Sequence, residues 1–171
     1  MGAADISTVK PGGGATAGQI PGVSSGTTIG AGFIGEFISA ASTSGAPLNL
    51  ATTVYQNIGG TSIAPGAGNW MIEMQISFVL AAATVTLLQV GISQTSITLP
   101  PPDGTGIMQG NSAGPIGQNV LALVAATGTH TITVPPVYCQ CTGGSIYGVV
   151  GATFSAGAIT CYGTIKGWRF S

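Results

Sequence analysis

Residues 71–92, MIEMQISFVLAAATVTLLQVGI, hold one charge, Glu73, and from Ile76 to Ile92 there is none at all. Such a run suits a membrane-spanning helix, a buried helix or a set of strands. Residues 76–92 are about the minimum length for a spanning helix. Gln89 and three hydroxyl residues interrupt them, and no Lys/Arg flank marks a cytoplasmic side. Alternation settles the first half. Trp70, Ile72, Met74, Ile76, Phe78 and Leu80 share one parity, while Met71, Glu73, Gln75, Ser77 and Val79 share the other. Successive strand side chains point to opposite faces, so the first set predicts an apolar, core-facing strand side and the second a mainly polar one. Ala81–Ala83 offer a turn, and TVTLLQVGIS (84–93) reads as a second strand, so that the two form a hairpin or an adjacent pair. The reading needs no membrane.

Working outward, short apolar stretches alternate with turn clusters from residue 33 onward. The breakers include TSGAP, NIGG, PGAG, PPPDGTG, NSAGPIG, ATGT, TGG and SAG. Many short strands with regular turn signals predict an all-β fold, an antiparallel β-sandwich or jelly roll, over residues 33–171. NVLALVA (119–125) is the one stretch that also reads as a short helix. Residues 1–32 are rich in Gly, Pro, Ser and Thr without apolar periodicity and predict an extended N-terminal arm. The start, MGAADISTVK, has neither the basic residues nor the apolar run of a secretory signal, so synthesis and folding in a cytoplasm are expected.

Charge is the oddity. Three Lys+Arg and four Asp+Glu make 4% of the 171 residues, against roughly 25% in ordinary soluble domains. Simple disorder does not explain this, because 44% of the residues are hydrophobic and the net charge is −1. Near neutrality gives no electrostatic grip on nucleic acid or anionic lipid. It does weaken the repulsion that keeps copies apart.

Candidate chemistry is sparse. GAGFIG (30–35) fits the dinucleotide pattern G-x-G-x-x-G, but no strong strand precedes it and no acid follows at the required distance. STVK (7–10) matches S-x-x-K without the K-T-G partner of that enzyme class. Cys139 and Cys141, in YCQC, share one strand face and are poorly placed to bridge each other, whereas Cys161 could neighbour either. A zinc site lacks the usual C-x₂-C pairs, so buried reduced thiols are the better account. His130 is the only histidine, and a Ser-His-Asp triad would have to use Asp5 or Asp103, neither in a recognisable elbow. General acid–base catalysis needs titratable groups, and so few are present that no enzyme and no cofactor are expected. The aromatics suit a core or a subunit interface better than a sugar platform. KGWRF (166–170) holds both basic residues outside the arm and reads either as a solvated strand end or as a contact with an acidic neighbour.

Over residues 19–169 the order and spacing of several motifs resemble small virion structural proteins of tailed bacteriophages. The motifs are GQIPG (18–22), GFIGEFIS (32–39), TSIAPGAGNW (61–70), GISQTSITLP (91–100), SIYGVVGATF (145–154) and ITCYGTIKGWR (159–169). An extra residue in GAGNW and the PPVYCQC strand depart from the pattern. The resemblance implies a trimeric β-sandwich that either decorates the capsid lattice or caps a fibre, and it carries over no catalytic residues. On this reading the expected function is capsid decoration, on the outer surface of the phage head, with the major capsid protein and further copies of this chain as partners. A fibre-tip module for a host glycan is the alternative. The residues expected to make capsid or subunit contacts are Ile6, Val9, Ile20, Val23, Ile29, Phe33 and Phe37.

Overall fold

A computed structural model describes residues 35–99, 107–109 and 113–170, with side chains described for 35–99 and 125–170. The arm, residues 1–32, lies outside the described residues. Eight strands follow in order: β1 (Phe37–Ala41), β2 (Leu48–Asn49), β3 (Tyr55–Ile63), β4 (Gly68–Ser93), β5 (Ile107–Gln109), β6 (Ala113–Cys141), β7 (Ile146–Ser155) and β8 (Ala158–Arg169). Residues 119–125 belong to β6, so the helical alternative for NVLALVA is corrected to strand.

The stretch 71–92 is one strand and not a hairpin. β4 runs unbroken through Ala81–Ala83, and its two halves pair with different partners. β6 flanks β4 from Gly68↔Cys141 to Ser93↔Ala113. On the other edge β8 pairs with Trp70–Ala81 and β7 with Thr84–Ser93. The change of partner falls where Ala82 takes φ 51° and the register slips between Leu80 and Ala83. Such bends let a strand leave one sheet and enter the facing one.

Each long strand therefore contributes half its length to each of two sheets. The first contains β1, β8, the first half of β4, the second half of β6, and β5; the second contains β3, β7, the second half of β4 and the first half of β6. If the halves are counted separately and the short β2 and β5 set aside, the two sheets run 1-8-3-6 and 2-7-4-5. That is the order of an eight-stranded antiparallel jelly roll. β5 joins β6 in parallel.

The core lies between the sheets. Trp70, Ile72, Met74, Ile76, Phe78 and Leu80 are all at most 3% exposed, and one contiguous cluster joins them to Val85, Leu88, Val90 and Ile92 of the far half of β4. The approach of the sheets is close: a Cβ on Gly148 of β7 would lie 2.7 Å from Met74 Sδ. Trp70 anchors one end, with its indole N–H donating to Gly66 O at 2.9 Å. The β7–β8 hairpin turns on Ala156 (φ 59°) and Gly157 (φ 67°), the two left-handed residues that a tight primed turn demands. A Cβ on Gly157 would collide with the carbonyls of Ala81 and Ala82, so that turn nests against the β4 bend. Among the described residues no helix is long and apolar enough to cross a membrane.

Candidate functional site

The two sheets present very different outer faces. On the first sheet, cross-strand pairing lines up side chains in rows. One row is Phe37–Trp168–Met71–Tyr138, taken in order from β1, β8, β4 and β6. Phe37 is 48% exposed, and its ring centroid lies 5.5 Å from that of Trp168 at 46°. The next row is Ser39–Lys166–Glu73, and those beyond it are Ala41–Thr164–Gln75–Thr133 and Tyr162–Ser77–Thr131. Hydrogen bonds stitch the polar rows: Ser77 Oγ and Thr131 Oγ1 share one at 3.0 Å, and Gln75 Nε2 donates to Thr133 Oγ1 at 3.4 Å. Glu73, Met74, Gln75, Thr133, Thr164 and Lys166 line a shallow recess of about 250 Å³.

The described ions are all used within the chain. Lys166 Nζ lies 3.8 Å from Glu73 Oε1 with side chains 44% and 34% exposed, a pair worth little in water. Arg169 Nη1 lies 3.4 Å from Glu36 Oε2, and these side chains are only 13% and 12% exposed. Arg169 also donates to Ala67 O and sits 5.7 Å from the Trp70 ring centroid. Backbone bonds from Gly35 N to Arg169 O and from Arg169 N to Glu36 O close this corner. The basic residues of KGWRF thus find their acidic neighbours inside the molecule.

The second sheet is partly covered by its own chain over β3, β7 and the far half of β4. Val149 and Leu99 are buried yet stand outside the core cluster, because they pack on the outer side. Leu99 lies over Gly91, where any Cβ would collide with Leu99 Cδ2. Asn57 of β3 clamps the intervening loop: its Nδ2 donates to Ser96 Oγ at 2.8 Å and its Oδ1 accepts from Ile97 N at 2.7 Å. Tyr55 lies over Gly151 and donates its hydroxyl to Gln89 Oε1 at 3.1 Å.

Of the residues expected to make contacts, Ile6, Val9, Ile20, Val23, Ile29 and Phe33 lie outside the described residues, and Phe37 heads the aromatic row. Trp168 and Tyr138, among the aromatics expected in a core or subunit interface, join Met71 in that row, and all three occupy outward parity in their strands. That parity was the available signal. His130 sits opposite Phe78, and among the described residues no group of three His, Cys, Asp or Glu is placed to hold a metal.

The cysteines are all free and buried. Cys161 pairs with Phe78 and Leu48, eight positions along β4 from the Trp70–Cys139 pair, or roughly 26 Å at strand rise, so it neighbours neither of the others. Burial pushes its thiol up to about 12. Cys139 and Cys141 do meet, Sγ to Sγ at 2.8 Å, closer than their spacing along one strand suggests. The hydrogen bond to Cys141, with burial, holds the Cys139 thiol far above the ordinary range. The same bond holds Cys141 below it.

No family model matches the chain. No curated protein matches it either. Thirteen solved chains resemble it in shape. One is the Eiger TNF of S. frugiperda, at 8% identity and a TM-score of 0.46, with 79% of this chain and 93% of that chain covered.

Proposed function

We propose that this protein is a bacteriophage virion structural protein, a capsid decoration protein. In this reading it docks as a trimer on the outer surface of the head shell and ties adjacent major capsid subunits together, with no catalytic role. The observation that carries the proposal is the open face of the first sheet. Its ions are neutralised within the chain, a row of three aromatic side chains and Met71 runs from β1 to β6, and hydroxyl and amide rows fill the rest. Such a face associates through apolar contact and neutral hydrogen bonds, with neither steering nor repulsion from charge. The motif resemblance to small phage virion proteins supports the same reading.

Cementing follows from multivalency. Three copies joined through their open faces would present three arms, and weak single attachments multiply when the sites are linked. The test is an image reconstruction of particles, with and without residues 1–30 of this chain. Density for the protein over the head shell, lost on deletion of the arm, is the expected result. Copies confined to a tail or fibre would overturn decoration, and full occupancy without the arm would remove the arm from it.

One observation favours a second reading, a fibre-tip module for a host glycan. The recess beside Trp168 gathers a carboxylate, an amide, an ammonium and two hydroxyls, groups that pair with sugar hydroxyls. Selective glycan-array binding by the isolated protein, abolished by Gln75→Ala, would move the function there.

A further inference from the structure

The end of β6 carries a feature that the proposed docking does not use. Cys139 and Cys141 sit on the same side of the strand with their sulfurs 2.8 Å apart. That is only about 0.8 Å longer than a disulfide bond. Gln94 Nε2 donates to Cys139 Sγ at 3.5 Å, and Gln94 Oε1 is buried with no partner among the described residues. Cys139 is fully buried, whereas Cys141 is 6% exposed at the last position of β6, opposite Gly68, which has no side chain to cover it. A small oxidant therefore reaches Cys141 first.

We propose that Cys139 and Cys141 are a redox-active dithiol that closes into an intrastrand disulfide when the protein meets a peroxide. Cys141 is the attacking sulfur. Its thiolate, favoured by the hydrogen bond from Cys139, takes the outer oxygen of hydrogen peroxide. The O–O bond breaks, and the departing hydroxide is protonated to water. Cys141 is then a sulfenic acid. The Cys139 sulfur attacks it, the S–O bond breaks, and the hydroxyl leaves as a second water with the Cys139 proton. Two thiols and one peroxide thus give one disulfide and two waters.

The closed ring is strained. Residues two apart in a strand span about 6.6 Å between Cα atoms, near the upper end of the range of about 4.4–6.8 Å that disulfides adopt. Strained bridges are readily reduced again, so the step is reversible. Closure draws residues 139 and 141 together and puckers the strand at Gln140, which pairs with Asn69 of β4 and Gln109 of β5. Tyr138, the end of the aromatic row, is one residue away. Oxidation thereby reaches the open face.

The experiment treats the folded, full-length protein with hydrogen peroxide, quenches it, unfolds it, labels it with iodoacetamide and weighs it intact. The reduced protein should take three labels. The oxidised protein should take one, on Cys161, with the mass of two hydrogens lost and restored by dithiothreitol. Closure should run at least about tenfold faster in the folded protein than in the urea-unfolded chain, because the fold holds the sulfurs in contact. Cys161→Ser should leave closure unchanged, with two labels before peroxide and none after, and Cys139→Ser should leave a Cys141 sulfenic acid that dimedone traps. Three labels after peroxide, a bridge to Cys161 or between chains, or equal rates in folded and unfolded protein would each overturn the proposal.

Discussion

The outer faces of the two sheets share strands, because β4 and β6 run through both, yet among the described residues one carries cover from its own chain and the other does not. Behind β3, β7 and the far half of β4, small residues form a floor and the chain folds back over it. Leu99 fills the space above Gly91, Tyr55 lies over Gly151, and Asn57 pins the loop at Ser96 and Ile97. Behind β1, β8 and the near half of β4, no segment among the described residues returns to cover Phe37, and large side chains stand in rows. A face with a glycine floor and its own cover is completed by folding. A face with a half-exposed aromatic row headed by an exposed Phe37 is the one the proposed docking uses.

That contrast can be broken in several places, and the largest effect should come from the wall both faces share. Trp70→Ala removes a fully buried ring and its bond to Gly66, and should cost about 3–5 kcal/mol of stability by urea unfolding. Alkaline pH should act next. Cys161 is raised in the folded state from 9.0 to about 12, so below pH 9 both states hold the proton and stability is whole. Above it the unfolded thiol ionises while the folded one does not, and stability should fall by up to about 4 kcal/mol as pH rises to 12. Cys161→Ala should flatten that part of the slope.

Smaller effects separate the faces directly. Trp168→Asp places a charge in the aromatic row and should weaken self-association by about 2–4 kcal/mol, seen as a fall in mass by sedimentation, with monomer stability almost unchanged. An unchanged mass would mean that the open face is not where copies meet. Leu99→Ala should do the reverse, costing about 2 kcal/mol of stability by uncovering Gly91 and leaving the mass alone. Glu73→Gln should change stability by less than about 1 kcal/mol, since its partner is 3.8 Å away and both side chains are partly exposed.

Strand character was legible where alternation was clean. The parity of residues 70–80 separates the six buried side chains from Met71, Glu73, Gln75, Ser77 and Val79 on the outer side, because backbone pleating imposes that period on any strand with one face in a core. The candidate site was legible only in part. Phe37 is legible as an apolar residue just past the arm, whereas Trp168 lies between Lys166 and Arg169 in KGWRF, a context that reads equally as a solvated strand end. The contact of Cys139 with Cys141 was not legible at all. Spacing alone places them on one face, while the approach of their sulfurs depends on rotamers set by Gln94 and the strand end.

By itself the sequence determined that this chain is all β, short of ions and built around one greasy face, since composition and period-2 patterning are local properties of the polypeptide. Only the tertiary structure decided what happens at Ala81–Ala83. A hairpin and a strand crossing between sheets share the same local pattern. The choice between them rests on long-range pairing: β6 holds one edge of β4 along its length, while β8 and β7 divide the other. The same pairing placed Phe37, Trp168, Met71 and Tyr138 in one row although they lie far apart in the chain, and the fold of residues 94–99 laid Leu99 over Gly91 on the opposite face.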